Sequence, residues 1–482
     1  MVVSSPRLPL WATAVTRPAG EFPLTPLTLL EGSIPEDLHG TLYRNGPARL
    51  ERGSQRMGHW FDGDGAILAV HIGEGQATAT YRYVQTAGYQ AEAKADRLIF
   101  GNYGTIPSGP IWTSFGKPPK NVANTSVMVV EGETEAGNSD RLLALWEAGE
   151  PHALTLDTLI TQGISPLEGL KSKPYSAHPK RDPQTGEIYN FGVSFGKEAT
   201  LNLYRSDRHG RLLCQNTFLL QGIPLIHDFV LAGPYLVFAI PPVRIQILPL
   251  LLNLKSASDA MYWKPEQGTE ILIFDRETLQ LISRAEAEPW YQWHFGNGLI
   301  DADGSIGLTM VRYSDFKTNA YLQEVAQGQV QTRAQGSFWQ IRINPQSGQV
   351  IGAEPLVEAD CEFPTIPLHY VGEATPYTYL CVHRPGDMER GELFGTIARY
   401  HHPSETLTIA DAGLGRYPSE PLFAPGSDDP ECGWVLTVVY DGNLDRSEVW
   451  VYESDRLQEG PCCRLALPGV IPHSFHGTWK SR

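Results

Sequence analysis

The chain contains seven copies of one local pattern: a short strand of alternating apolar residues, a turn, and a second such strand. Three clear copies are ILIFDRETLQLIS at 271–283, WQIRINPQSGQVIG at 339–352 and ARYHHPSETLTIA at 398–410. Alternation with a period of two that resumes after a turn indicates a β-hairpin. The other four copies lie at 69–84, 153–163, 203–216 and 449–460. Because one hairpin cannot bury its apolar face alone, each copy must pack against a neighbour.

The intervals between the copies predict a β-propeller. The last strand residues before the seven turns are Ile72, Leu156, Arg205, Phe274, Ile343, Tyr400 and Tyr452, at intervals of 84, 49, 69, 69, 57 and 52 residues. Sheets of four strands that recur at about 40–50 residues or more are typical of propeller blades. We predict an all-β, seven-bladed β-propeller with insertions, and the alternative is several unrelated β domains. The whole chain, 1–482, then forms one domain with an N-terminal arm at 1–25.

The composition predicts a soluble globular protein and excludes one class of partner. Of the 482 residues, 41% are hydrophobic and 19% are charged, and 47 Gly with 37 Pro indicate many turns. The net charge of −16 and the lack of a basic cluster argue against nucleic-acid binding. The six cysteines show no CxxC spacing, and residues 1–20 lack the apolar core of a signal peptide. We therefore expect a cytoplasmic protein.

Four histidines share one position in the repeat. His178, His227, His294 and His476 follow the preceding hairpin marker by 22, 22, 20 and 24 residues. Two glutamates keep the same phase, since Glu362 and Glu420 follow their markers by 19 and 20 residues. In a propeller a common phase means a common radius, so these six side chains should converge on the central axis. Glu147 breaks the phase but can reach inward from an adjacent strand.

Four imidazoles on one axis indicate a transition-metal site. Imidazole suits iron, zinc, copper and nickel, and the sequence alone does not choose among them. A ligating imidazole needs an acceptor for its second N–H, and Glu147, Glu362 and Glu420 can serve three of the four histidines in this way.

Ten short motifs, in order along the chain, resemble those of the carotenoid cleavage oxygenases. They are GSIPEDLHGTLYRNGP (32–47), FDGDGAI (61–67), NVANTSV (121–127), LLALWEAGEPH (142–152), SAHP (176–179), IHDF (226–229), WHFGN (293–297), CEFP (361–364), PSEPLFAPG (418–426) and HSFHGTW (473–479). The resemblance covers nearly the whole chain and is greatest to the bacterial apocarotenoid oxygenases that release retinal. It implies a seven-bladed propeller with a loop and helix dome over the active-site face.

The resemblance also implies roles for individual residues. A non-haem Fe(II) would be held by His178, His227, His294 and His476, with Glu147, Glu362 and Glu420 behind them. Thr125 of ANTS would lie near an open coordination position. Many relatives have a second histidine after the third ligand, whereas this chain has Phe295. From their places in or beside the motifs, Phe61, Trp146 and Trp293 are predicted to line a substrate tunnel.

The expected reaction is cleavage of a carbon–carbon double bond with dioxygen as co-substrate. A carotenoid or apocarotenoid would give two aldehydes, and 15,15′ cleavage of an apocarotenal to retinal is the first expectation. Cleavage at 9,10 (9′,10′), stilbene cleavage and retinoid isomerisation remain alternatives. A propeller that binds a hydrophobic ligand without catalysis is the alternative of another class. The substrate in each oxygenase case is a hydrophobic molecule with no polar group at the bond that breaks.

Residues 240–252, IPPVRIQILPLLL, form the most apolar stretch. About a dozen residues cannot span a bilayer, which needs ~20. The stretch is either a patch that contacts a membrane peripherally or a buried dome helix.

The histidines outside the blade phase are predicted to be structural or solvated. Among them are His59, His152, His369, His383, His401, His402 and His473. Asp62 and Asp64 of FDGDG lie in no twelve-residue calcium loop, and we predict that they form turns.

Overall fold

Seven antiparallel sheets of four to six strands form the body of the molecule. The structure is a computed structural model that describes residues 8–109, 117–133, 139–252, 254–426 and 432–482. Within these residues each sheet is one blade of a propeller. The innermost strand of each blade lines the central axis, and the blades are numbered I to VII in the order of the ring. The predicted fold class is confirmed.

The strands of the seven blades are given from the axis outward. Blade I comprises Gly477–Ser481, Gly40–Arg49, Asp64–Gly73, Gln76–Tyr83 and Phe22–Pro26. Blade II comprises Ser126–Val130, Arg141–Leu145, His152–Leu154 and Thr161–Ile164. Blade III comprises Lys180–Arg181, Ile188–Ser194, Thr200–Ser206 and Leu212–Leu219. Blade IV comprises Val230–Ala232, Tyr235–Ile240, Thr269–Asp275 and Leu281–Ala287.

The remaining three blades repeat this order. Blade V comprises Phe295–Ile300, Ile306–Arg312, Ser337–Ile343 and Val350–Val357. Blade VI comprises Cys361–Thr365, Tyr377–Val382, Thr396–His401 and Thr406–Asp411. Blade VII comprises two short inner strands, Arg416–Pro418 and Leu422–Pro425, followed by Gly433–Asp441, Arg446–Glu453, Cys463–Ala466 and Thr28–Gly32. Six of the seven hairpins predicted from the sequence are the third and fourth strands of a blade. The seventh, 449–460, contains the third strand of blade VII, but its fourth strand begins only at Cys463, after a 3₁₀ turn.

Both ends of the chain close the ring. The C-terminal strand Gly477–Ser481 pairs with Gly40–Arg49, so that Arg44 lies opposite Gly477. In blade VII the outermost strand, Thr28–Gly32, comes from the N-terminal region and pairs with Cys463–Ala466. Because each of these two blades contains strands from both ends, the propeller cannot open without breaking a sheet.

The core lies between neighbouring blades, and both faces of a blade are buried. On the strand Tyr235–Ile240, Leu236 and Phe238 pack toward blade III, whereas Val237 and Ala239 pack toward blade V. Alternation along a strand thus supplies two cores at once. A side chain at the start of an inner strand is therefore held from both sides.

Short helices and loops form a dome at one end of the axis. The α-helices are Ala12–Thr16, Ala87–Ala95, Ile247–Leu251, Ala257–Ala260, Lys317–Ala326 and Asp387–Arg390. The dome also contains the 3₁₀ turns Trp60–Asp62 and Pro265–Gln267 and two small hairpins, which pair Glu51–Arg52 with Gln55–Arg56 and Val243–Ile245 with Met261–Trp263. The other 3₁₀ turns, Leu368–Tyr370, His402–Ser404 and Leu457–Glu459, join the first and second or the third and fourth strands of blades VI and VII at the opposite end of the axis.

The predicted N-terminal arm, 1–25, packs into the dome and then into the propeller where the structure describes it. Trp11 is fully buried and its indole N–H donates to the carbonyl of Gly391, and Phe22–Pro26 is the outermost strand of blade I. Residues 1–7 lie outside the described residues.

Asp62 and Asp64 do more than form the predicted turn, so that prediction was incomplete. Asp62 accepts hydrogen bonds from Gly104 and Thr105 and so anchors a dome loop. Asp64 is buried between Arg52 and Lys120, at 2.8 and 2.7 Å. A buried carboxylate needs such partners, because leaving it unpaired costs several kcal/mol, on the order of 3–5.

Candidate metal centre

Every blade contributes one residue at the start of its innermost strand to the same point on the axis. In ring order from blade I these residues are His476, Thr125, His178, His227, His294, Glu362 and Glu420. Six of the seven are the residues that share the hairpin phase. Thr125 is the seventh, and its phase is hidden because the insertion that contains helix Ala87–Ala95 lengthens the preceding connection.

The four histidines form one compact group. One ring nitrogen from each lies within 4.8 Å of the corresponding nitrogen of every other. The Nε2 atoms of His227 and His294 are 3.2 Å apart. Two imidazole nitrogens at a metal–nitrogen distance of about 2.1 Å lie roughly 3.0–3.5 Å apart in octahedral or tetrahedral geometry, so the observed separation is that of two ligands of one ion.

Carboxylates fix three of the four rings. The Nδ1–H of His294 donates to Glu362 at 2.6 Å, that of His476 to Glu420 at 2.7 Å, and that of His227 to Glu147 at 2.8 Å. Each bond leaves Nε2 unprotonated and turned toward the centre. Glu147 does not share the hairpin phase of the other two glutamates. It reaches His227 from the loop that follows strand Arg141–Leu145.

The fourth ring shows that the donor set fits a cation. His178 is buried, and its Nε2 makes no hydrogen bond. Burial lowers the pKa of His178 well below its usual value, and the nearby rings of His227 and His476 lower it further. A buried neutral imidazole with a free lone pair, grouped with three others, is the donor chemistry of an iron, zinc, copper or nickel ion.

Further residues, not singled out by the sequence, support this centre. Arg44 is buried and donates from Nη1 to Glu420 Oε2 at 2.8 Å. The hydroxyl of Tyr313 donates to Glu362 Oε1 at 3.1 Å. Burial alone would raise the pKa of Glu420, but His476 and Arg44 outweigh it and hold the pKa below its usual value. In the sequence, Arg44 could have been singled out by its place in the motif GTLYRNGP.

A cavity beneath the dome leads to the histidines. It spans about 920 Å³, a volume that includes open solvent, and more than half of its lining residues carry an aromatic or imidazole ring. The predicted tunnel residues Phe61 and Trp293 line it, as does Thr125. Trp146 is buried beside Glu147 and is not part of its lining.

Phe363 lines the cavity beside His294 and His476 and has a strained backbone conformation. Its φ is +55°, and it precedes Pro364. Its ring stacks on His294 at 5.5 Å between centroids and contacts His476 at 5.6 Å. A residue other than glycine in the left-handed region costs about 1–3 kcal/mol, and the following proline disfavours helical backbone. Such strain concentrates at functional sites.

Two histidines predicted to be structural also line the cavity. His383 is held between the Asp360 carboxylate and the Glu392 carbonyl, and His473 is buried against the rings of Tyr417 and Tyr440. Neither keeps the blade phase, so the hairpin spacing could not place them there.

The other histidines predicted to be structural or solvated lie away from the four-histidine group. They are His59, His152, His369, His401 and His402, of which His59 and His152 are buried.

Comparisons with known proteins identify relatives of the whole chain. The family model described as RPE65, retinal pigment epithelial membrane protein, matches residues 16–481. An apocarotenoid-15,15′-oxygenase of Synechocystis sp. is 32% identical over 463 residues, which is 93% of this chain and 92% of that protein. An isoeugenol monooxygenase of Pseudomonas nitroreducens is 27% identical, with 94% of each chain covered.

Solved structures give the same result. A cobalt-substituted Synechocystis apocarotenoid oxygenase superposes with a TM-score of 0.86 at 29% identity, and 98% of each chain is covered. This match confirms the expected fold along the chain. The family match over residues 16–481 confirms the expected relationship. The chain therefore belongs to the family of RPE65 and the carotenoid cleavage oxygenases.

Proposed function

We propose that this chain is a non-haem Fe(II) oxygenase that cleaves a carbon–carbon double bond of an apocarotenoid and gives two aldehydes. The single observation that carries the proposal is a four-imidazole centre that adjoins a cavity rich in aromatic side chains. In the reaction the alkene double bond and the O–O bond of dioxygen break, and two carbonyl groups form. Cleavage at the 15,15′ bond, which releases retinal, is the first candidate.

The residues of the chain hold the metal and shape its surroundings. His178, His227, His294 and His476 would be the ligands, and an iron ion bound by four nitrogens supplies free positions at which dioxygen is activated. Glu362 and Glu420 keep their histidines oriented, with Nε2 toward the centre. Thr125, which lies at the start of the neighbouring inner strand, restricts what can bind on that side.

The cavity positions the substrate by shape. A polyene has no polar group at the bond that breaks, so hydrogen bonds cannot select that bond. Phe61 stacks parallel to His227 at 6.5 Å, and Trp293 contacts both rings edge-on. These rings form an apolar slot beside the centre and exclude water from it. The place where the slot stops the polyene determines which double bond reacts.

The alternative substrates share this centre. The relatives include proteins named isoeugenol monooxygenase, resveratrol cleavage oxygenase and carotenoid 9,10(9′,10′)-cleavage dioxygenase. Their names describe alkenes of different length, so the space that the cavity offers beside the histidines must distinguish them. We rank the apocarotenoid first because the Synechocystis relative combines 32% identity with that substrate in its name.

The test is incubation of the iron-loaded chain with β-apo-8′-carotenal, β-carotene, resveratrol and isoeugenol under ¹⁸O₂. Retinal that carries ¹⁸O is the expected product. β-Ionone would move the cleavage to the 9,10 bond, and an aromatic aldehyde as main product would replace the substrate class. A geometric isomer formed without oxygen uptake would indicate an isomerase, and binding without any product would indicate a binding protein. Full activity in His227→Ala would contradict the proposed ligand set.

We also propose that the predicted segment 240–252 contacts a membrane peripherally. In the part of the chain that the structure describes, no helix is long and apolar enough to cross a bilayer. Leu248 is 69% exposed and Leu252 is 47% exposed, whereas Ile245 and Ile247 pack on the core. An exposed apolar turn that is anchored from behind suits shallow insertion, through which an apolar substrate can leave the lipid.

Sedimentation with phosphatidylcholine vesicles tests this contact. Leu248→Asp should abolish binding, while Leu414→Asp, at another exposed leucine (78%), should leave it unchanged. Equal binding by both variants would contradict the role of this segment.

A further inference from the structure

Arg44 is the one cationic side chain that contacts the carboxylates behind the histidines, among the residues that the structure describes. It lies on the second strand of blade I, opposite Gly477, and is 1% exposed. Its guanidinium donates to Glu420 Oε2 at 2.8 Å and to the Glu420 carbonyl at 3.0 Å. It also donates to Ser474 Oγ and to the Phe475 carbonyl, both at 2.9 Å.

These contacts join Arg44 to a ligand through Glu420. Glu420 accepts from His476 with Oε1 and from Arg44 with Oε2. The residues just before His476, Ser474 and Phe475, are held by the same guanidinium. Arg44 is thus a positioning residue that acts on His476 through its carboxylate and its backbone.

The unit charges of the side chains around the four histidines can be added up. Glu147, Glu362 and Glu420 each accept a hydrogen bond from an imidazole and together carry three negative charges. Arg44 carries one positive charge. The nearby pair of Asp228 and Lys180, 2.8 Å apart, contributes no net charge. With four neutral imidazoles, the groups that contact the imidazoles or their carboxylates have a net charge of −2, which one divalent cation neutralises.

We propose that Arg44 sets the preference of this centre for a divalent rather than a trivalent ion. Without Arg44 the three carboxylates would balance a charge of +3. Uncompensated charge in a protein interior is costly, so the oxidation state that balances the charge is favoured. Arg44 would in this way slow the loss of one electron from bound Fe(II) to dioxygen, which would leave Fe(III) and superoxide. This inference rests on the proposed function only in taking iron as the metal.

The test measures oxidation of bound iron rather than product. The variants are loaded anaerobically with Fe(II), exposed to air without substrate, and followed by the ferric electron paramagnetic resonance signal. Removing one unit charge near the ion should accelerate ferric formation in Arg44→Met by on the order of tenfold. Arg44→Lys keeps the charge and should resemble the original chain. The double variant Arg44→Met/Glu420→Gln restores the charge balance and should restore slow oxidation.

Arg52→Met is the matched control for the loss of a buried arginine. Arg52 is 4% exposed and pairs with Asp64 at 2.8 Å, in a cluster separate from the histidines. It should lower thermal stability without changing the oxidation rate. If Arg44→Met does not fold, Glu420→Gln alone still tests the charge count. Bound Fe(II) should oxidise more slowly in this variant than in the original chain.

The proposal predicts that bound Fe(II) oxidises faster as the net charge of the groups around it becomes more negative. Oxidation rates of the variants that do not follow this order would overturn it. Failure of the proposed function gives a different result, because iron would then either not bind or bind without cleaving any substrate. The oxidation order remains measurable in the second case.

Discussion

The carboxylate of Asp228 accepts a hydrogen bond from the backbone N–H of Phe295 at 3.0 Å. Asp228 follows His227, and Phe295 follows His294, so the bond joins the strands that carry two of the four histidines. The other oxygen of Asp228 binds Lys180, two residues after His178, at 2.8 Å. One buried carboxylate therefore ties three histidine-bearing strands together.

Asp228→Asn should lower both stability and metal affinity. The amide has one acceptor oxygen instead of two, so either Lys180 or the Phe295 N–H loses its partner, at a cost of about 1–3 kcal/mol. The histidines on the loosened strands should bind Co²⁺ more weakly, on the order of tenfold. Calorimetric titration of the metal-free protein measures this affinity.

Asp182→Asn is the matched control for that experiment. Asp182 is buried and pairs with Arg276 of blade IV. This variant should lose stability by a similar amount but keep its metal affinity. A similar loss of affinity in both variants would show that general loosening, and not the link between the strands, is responsible.

Glu362→Ala should weaken metal binding more than Glu147→Ala. The side chain of Glu362 is 7% exposed and also accepts from Tyr313, whereas that of Glu147 is 27% exposed. Water can replace Glu147 beside His227 but cannot easily enter the space of Glu362. We expect metal affinity to fall by about 100-fold in Glu362→Ala and by about tenfold in Glu147→Ala. Equal losses, measured by competition with a chelator, would contradict the role of burial.

The propeller ring and most of the residues on its axis could be predicted from the sequence. Each hairpin recurs once per blade, so the distance from a hairpin to the next inner strand is nearly constant, and His178 and Glu420 could be placed from spacing alone. Thr125 could not, because an insertion of helix and loop precedes it. Its position was available only from the resemblance of ANTS to the family.

Contacts between blades could not be read from the chain. Arg44 and Glu420 are 376 residues apart, and Asp228 and Phe295 are 67 apart. Such pairs depend on how strands of different blades lie against one another, and no local pattern encodes that. For the same reason Trp146, which lies within a motif, does not line the cavity, while His383 and His473 do.

Phe363→Leu should broaden the products formed from β-apo-8′-carotenal. The ring of Phe363 lies against His294 and His476 and lines the cavity, so its loss leaves room for the polyene to shift by one double bond. Besides retinal we expect the eighteen-carbon ketone or the twenty-two-carbon aldehyde of the adjacent bonds, identified by chromatography and mass. Metal content should not change.

Phe394→Leu is the control for Phe363→Leu. Phe394 lines the same cavity and contacts Phe363 at 6.4 Å, one ring farther from the histidines. It should keep a single product.

The backbone strain at Phe363 predicts a second difference. Because glycine adopts a positive φ freely, Phe363→Gly relieves part of the strain energy of about 1–3 kcal/mol and should melt at a higher temperature than Phe363→Leu. A single product from Phe363→Leu would remove this residue from the control of cleavage position.

Acid should destabilise the metal-free protein through His59 even before the carboxylates titrate. His59 is fully buried, its Nδ1 accepts from the Phe61 N–H at 3.1 Å, and burial lowers its pKa from 6.5 to about 3. The folded protein keeps this imidazole neutral, whereas the unfolded chain takes up a proton below pH 6.5. The stabilisation is therefore complete above pH 6.5 and falls toward pH 3, with a slope of at most about 1.4 kcal/mol per pH unit.

His59→Asn isolates this contribution, because the amide oxygen can still accept from Phe61 but does not titrate. In urea unfolding at pH 7, 6 and 5, the original chain should be the more stable at pH 7, and its advantage should shrink as the pH falls. His473, whose pKa burial lowers to about 4, titrates in both proteins and cancels in the difference. A difference between the two proteins that stays constant from pH 7 to pH 5 would show that His59 is not held neutral by the fold.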